Sequence, residues 1–176
     1  SHLVLLILAG VTLIKVVVAA QCVGTHEIHQ MQVQAQAYLS GADILDRAST
    51  KGNPSFFPLG HYDLVAGCWL LAQILGIPFS FVIKLPAILA DLVVGLVLIA
   101  TPGGGHRAAL LYMLNPVTLL LSAYHGQPHT VAVAAALCSL WLVGRPRWGW
   151  AGALLGVAAS IRQHYAALGV GVQYFN

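Results

Sequence analysis

At 176 residues, with 59% hydrophobic and 7% charged, the chain falls far from a soluble domain, in which about a quarter of residues are charged. A mean hydropathy of +0.82 indicates an integral membrane protein. The net charge of +3 lies in Lys and Arg residues between apolar segments, where they act as topology signals, and this excludes a basic nucleic-acid-binding patch. The expected fold class is all-α: a polytopic transmembrane helical bundle of about five spans, with interfacial helices in the first outer loop.

The first expected span is Leu3 to Ala20, interrupted by Lys15, which is placed to snorkel from near an end. A signal peptide is the rival reading of so short a segment, but no cleavage site of the A-x-A kind follows. Residues 21–78 form an outer loop. Within it, His26 to Leu39 sets Ile28, Met31, Val33, Ala35, Ala37 and Tyr38 among Gln residues, an irregular amphipathic pattern for a helix lying on the membrane, ended by Gly41. The acidic and basic residues Asp43, Asp46, Arg47 and Lys51 follow, then a turn at Lys51-Gly52-Asn53-Pro54 and an aromatic landing at Phe56-Phe57-Pro58.

His61 to Leu75 is apolar but shorter than the twenty or so residues that a span requires, and it carries His61, Asp63 and Gln73. Arg107, and separately Arg145 with Arg147, occupy short loops that the positive-inside rule assigns to the cytoplasm. That parity holds only if His61 to Leu75 does not cross, so it is expected as an interfacial or re-entrant helix ended by Gly76-Ile77-Pro78.

Span two is expected over 79–100, with the turn Thr101 to Arg107 inside, and span three over 108–123. The Gly103-Gly104-Gly105 run reads as a turn and not as a phosphate loop. The outer loop Tyr124-His125-Gly126-Gln127-Pro128 leads to span four over 129–143, Pro128 sitting where its missing N–H costs nothing. Gly144 to Arg147 turns back, Trp148 and Trp150 form an aromatic belt, and span five over 149–170 is rich in Gly and Ala that permit close helix contact. Cys22, Cys68 and Cys138 fall in or beside apolar segments at no metal-ligand spacing and are expected as buried, inert thiols. The chain starts at Ser1 without Met; it is expected to be the N-terminal part of a larger protein and to be inactive without the missing C-terminal spans.

Ionisable residues at membrane depth cost a few kcal/mol, so Lys84 and Asp91, two turns apart on one helical face, are functional candidates; Asp91 has a structural alternative, pairing with Lys84 or holding a polar contact between helices. With the topology above, one outer mouth collects Glu27, Lys84, His125, Gln127, His129, Arg162 and His164.

In order along the chain, these features resemble the N-terminal part of the GT-C superfamily, polytopic glycosyltransferases that take sugar from a polyprenyl-phosphate donor. The resemblance rests on Glu27 with the amphipathic helix running to Gly41, Pro58-Leu59, Lys84 at the opening of span two, Asn115-Pro116 in span three, Tyr124-His125-Gly126-Gln127, and Arg162-Gln163 in span five. It covers nearly the whole chain. Two positions depart from the pattern: Glu27 stands where the family usually has Asp, and His129 replaces the acidic residue that often follows the Gly-Gln of the second outer loop.

The resemblance implies transfer of a hexose, mannose or glucose, to an acceptor hydroxyl on a glycan or lipid at the outer face; the sequence shows no metal-ligand cluster, so a metal-free mechanism with no cofactor is expected. Such chemistry needs a general base at the water-membrane boundary, for which Glu27 is the candidate, and a cation for the leaving phosphate, for which Lys84 and Arg162 are the candidates. His125, Gln127, His129 and His164 are the candidates for orienting substrate. Each has a structural alternative: a solvated helix position for Glu27, interface anchors for Lys84 and Arg162, ordinary loop and helix-start residues for His125 and His129. A bacterial plasma membrane is expected, since the Tyr124 to His129 loop lacks the longer His-and-aromatic motif of eukaryotic glucosyltransferases of this group. Two other classes are kept: a transporter or assembly subunit, which wants a broken helix at a mid-membrane site as Asn115-Pro116 and Asp91 suggest, and a haem-binding electron-transfer subunit, which the eight histidines suggest although most lie in loops or at helix ends.

Overall fold

A computed structural model describes residues 2–42, 57–103, 105–145 and 147–168, and no strand occurs among them. Helix α1, His2–Gln21, is a 20-residue apolar run, and at 1.5 Å per residue it reaches about the 30 Å of a bilayer core. Helix α2, His26–Leu39, follows a turn at Gly24 whose φ of 94° belongs to the left-handed region. Its apolar and small face, from Ile28 through Met31 to Ala35, packs on α3, Leu59–Leu75. Gly76 ends α3 in a left-handed cap (φ 65°).

Helices α4, Phe79–Val82, and α5, Leu85–Ala100, run on through Ile83 and Lys84 as one stretch of 22 residues. This stretch is the axis of the bundle, with α1, α6 (Gly105–Met113) and α8 (His129–Val143) around α5. Gly95 lets α1 and α6 come close: a Cβ there would stand 3.1 Å from Leu8 Cδ2 and 3.2 Å from Met113 Cγ. Helix α8 buries Thr130, Ala132, Ala134 and Ala136, small residues covered on both flanks because it lies between α5 and α9, Trp148–Ile161. Ser139 Oγ donates to Ala151 O at 2.7 Å across the α8–α9 contact.

Among the described residues, α1 and α4–α5 are the two helices long and apolar enough to cross a membrane. The expected third span is broken. Residue Asn115 precedes Pro116, whose ring disfavours helical backbone before it, and Asn115 Oδ1 instead accepts from Val117 N at 2.9 Å to start a new turn, α7, Pro116–Leu119. A π-helical turn, Leu120–Tyr124, follows, and the chain then bends by 118° into α8. Helix α9 has 14 residues, about 21 Å, so the expected fifth span is shorter than drawn over its described part. Residues 169 and 170 of that span, Gly104, Pro146, the acidic and basic residues from Asp43 to Arg47, the turn at Lys51 to Pro54 and Phe56 lie outside the described residues.

Two expectations about charges are corrected. Lys15 does not snorkel: it is 0% exposed, donating to Asp91 Oδ2 at 2.5 Å and to Thr118 Oγ1 at 3.1 Å. Asp91 therefore pairs with Lys15 and not with Lys84, and Tyr112 Oη donates to its other oxygen at 2.7 Å. Of the cysteines, Cys68 is buried, Cys22 and Cys138 are half-buried, and all three are free thiols.

Candidate active site

At the end of the bundle where α1 finishes, four separate pieces of chain converge: the first turn of α2, the first turn of α3, the reversal before α8, and the end of α9. Between them lies a cavity of about 230 Å³. Its α2 wall is built from one helical face, Glu27, Gln30, Met31 and Gln34, the spacing i, i+3, i+4, i+7. Gln127, His129, Phe57, His61 and Arg162 complete the lining.

Glu27 sits in the first turn of α2, where the helix dipole favours a carboxylate. Its side chain is 51% exposed. Gln127 Nε2 donates to Glu27 Oε2, and His125 Nδ1 lies 3.9 Å from the same oxygen. His125 Nδ1 is also 3.4 Å from Thr25 Oγ1. Gln127 reaches Glu27 because Gly126 turns the loop at φ 66° directly over Lys84, leaving no room for a Cβ, which would stand 2.9 Å from Lys84 Cγ.

Arg162 caps α9 with extended backbone, which swings its side chain back over the bundle end. Its Nη2 donates to His129 Nδ1 at 2.9 Å, which requires that nitrogen to carry a lone pair and leaves the imidazole proton on Nε2. Its guanidinium also lies 4.4 Å from the centre of the Phe57 ring, an arrangement favourable to a cation. His61 stands beside it, 1% exposed, with Phe57 4.2 Å away on one side and Tyr62 on the other. Burial, and then the nearby Arg162 and His129, push the His61 imidazole down from 6.5 to about 4, so it is neutral at pH 7.

Of the residues expected from sequence, the cavity brings together Glu27, Gln127, His129 and Arg162, and His125 stands at its rim beside Glu27. Two do not line it. Lys84 is 0% exposed, and its ammonium donates to Ala19 O at 3.3 Å and Cys22 O at 2.5 Å, satisfying carbonyls at the C-terminal end of α1. The structure thus gives Lys84 a helix-capping position beneath the Gly126 loop. His164 is exposed on a 3-10 turn, Gln163–Tyr165, against the Tyr165 ring at 4.5 Å.

The cavity residues that sequence reasoning left out are His61, Phe57, Gln30, Met31 and Gln34. The polar spacing of Glu27, Gln30 and Gln34 was a readable signal, since it puts all three on one helical face. For His61 there was none, because its neighbours come from distant stretches. Among the described residues, no group of three or more His, Cys, Asp or Glu side chains is placed to hold a metal ion. Comparison with protein-family models, with curated proteins and with solved structures finds no match to this chain.

Proposed function

We propose that the protein is a multi-pass membrane glycosyltransferase of the GT-C type, moving a hexose from a polyprenyl-phosphate donor to an acceptor hydroxyl on the outer face of a bacterial plasma membrane. The observation that carries this reading is that a half-solvated carboxylate, Glu27, and a guanidinium, Arg162, line one cavity although 135 residues separate them (162 − 27). Glu27 takes the proton of the attacking hydroxyl as the new glycosidic bond forms at the anomeric carbon. The departing phosphate gathers charge in the same step, and Arg162 stabilises it with fixed donors. Gln127 and His125 hold the base in place, and His129 orients Arg162. Mannose and glucose are the sugars proposed, on the resemblance alone. Five crossings belong to this reading too, with α3 and α2 lying at the interface.

Transfer from a radiolabelled polyprenyl-phosphate sugar, in liposomes holding the intact parent protein, tests it. Glu27→Gln is expected to abolish transfer while retaining donor binding. Undiminished transfer by that variant removes Glu27 from the mechanism, and no turnover of any such donor by wild type overturns the assignment.

The helix break at Asn115-Pro116 favours a second reading, a transporter subunit with an ion site at the break. The polar atoms there take up one another: Thr118 Oγ1 donates to Asn115 O at 2.8 Å, and both Asp91 oxygens are occupied by Lys15 and Tyr112. Ion-coupled uptake lost on changing Asp91 would establish that reading in place of the first.

A further inference from the structure

Buried nitrogen donors rarely go without acceptors, and each orphan costs about 1–3 kcal/mol. Among the described residues, the orphans form one group. Both ring nitrogens of His61 and the Nε of Arg162 are buried without a hydrogen-bond partner, and both residues line the cavity. Their surroundings hold them there. Phe57 packs against His61 and under Arg162, and the His129 ring takes an Nη2 hydrogen of Arg162, while Nε–H is the buried guanidinium donor without a partner. A neutral imidazole carries one N–H and one lone pair. The wall therefore offers two unused N–H donors, one of them on a permanent cation.

We infer that His61 and Arg162 together form a binding site for a single phosphate ester, His61 giving a ring N–H to one phosphate oxygen and Arg162 giving Nε–H to another. The site rests on the proposed transferase reading only for the identity of its natural ligand; the donor geometry stands without it. A phosphate ester supplies acceptors to two of the three orphans at once, the N–H donors beside a fixed positive charge, and leaves the His61 lone pair to a water or a ligand hydroxyl. Glu27 lines the same cavity, with its Oε2 occupied by Gln127. In this site His61, a residue from a different element, makes the phosphate contact expected of Lys84.

Calorimetric titration of the detergent-solubilised protein with two probes, water-soluble methyl phosphate and detergent-dispersed polyprenyl phosphate without sugar, tests this at pH 7.5. His61→Leu and Arg162→Gln are each expected to weaken phosphate binding at least about tenfold, the loss of one hydrogen bond to a charged group. His61→Leu removes two unsatisfied buried nitrogens from an aromatic setting, so its thermal midpoint is expected to equal or exceed that of wild type, which separates lost binding from lost folding. Binding of both probes, or of polyprenyl phosphate only, supports the site with a lipid source; binding of methyl phosphate only supports it with a soluble ester. Absence of binding for both probes, or His61→Leu binding as wild type does, overturns it. If phosphate binding depends on His61 and Arg162 but wild type transfers no sugar, the transferase reading falls and this site stands.

Discussion

Lys15 Nζ and Asp91 Oδ2 are 2.5 Å apart, and neither side chain has more than 1% of its surface exposed. The pair joins α1 to α5 at the level of the helix break, where Thr118 and Tyr112 complete its hydrogen bonds. A buried ion pair is weak support for stability, but removing one partner strands the other charge. Lys15→Met or Asp91→Leu alone is expected to cost about 3–5 kcal/mol, whereas the double variant recovers most of that loss. Thermal or denaturant unfolding of the three variants in detergent checks this; additive losses would show that the two side chains act independently.

Gly24 joins α1 to α2 at φ 94°, and a Cβ there would lie 2.5 Å from the Tyr124 carbonyl oxygen. The obstacle is backbone, which cannot rotate away. Gly24→Ala is expected to destabilise by at least about 2 kcal/mol through strain and displaced packing, and to lower the proposed transfer as well, because the same turn sets Glu27 against Gln127. Unfolding midpoints together with transfer rates report both effects.

Lys84 donates to two carbonyls at the end of α1 from a fully buried position. Lys84→Met keeps the stem and removes the donor, leaving those carbonyls short of a partner at about 1–3 kcal/mol each. Faster amide hydrogen exchange over the last turn of α1, with a lower thermal midpoint, is the expected result. Unchanged exchange there would deny Lys84 this role.

His61 titrates near 4 in the folded protein against an ordinary 6.5. The unfolded chain therefore binds more protons between these values, and stability contributed by the neutral ring is whole above about pH 6.5 and declines as pH falls toward about 4. The thermal midpoint of wild type is expected to drop over that interval more steeply than that of His61→Leu. Parallel curves for the two proteins would remove His61 as the cause.

Local signals were legible where the controlling interaction is local. The bounds of α2 at His26 and Leu39, the end of α3 at Gly76 and the start of α8 at His129 all follow from glycine, proline and periodicity in the sequence. The break at Asn115 was also written there, as an N-cap residue before proline, but the apolar run around it reads as one span. The convergence of Glu27, Gln127, His129 and Arg162 was expected from an alternation of spans, and the cavity brings these four residues together. What stayed hidden is pairing at long range. Lys84 and Asp91 share a helical face, yet Lys84 lies at the turn before α5 and reaches the end of α1, while Asp91 meets a lysine 76 residues away. His61 was ambiguous for the same reason, because its surroundings are supplied by other segments.

The cavity also has an order of birth. Its α2 wall, with Glu27, leaves the ribosome first; Gln127 and His129 follow about a hundred residues later, and Arg162 comes last of the lining residues. Until α9 packs against α8 and α3, His129 lacks the guanidinium that fixes its tautomer, and the pocket has no cation. The carboxylate and His61 are thus made early and the guanidinium last, so a chain interrupted before residue 162 carries an acid and a neutral imidazole but no guanidinium at the cavity.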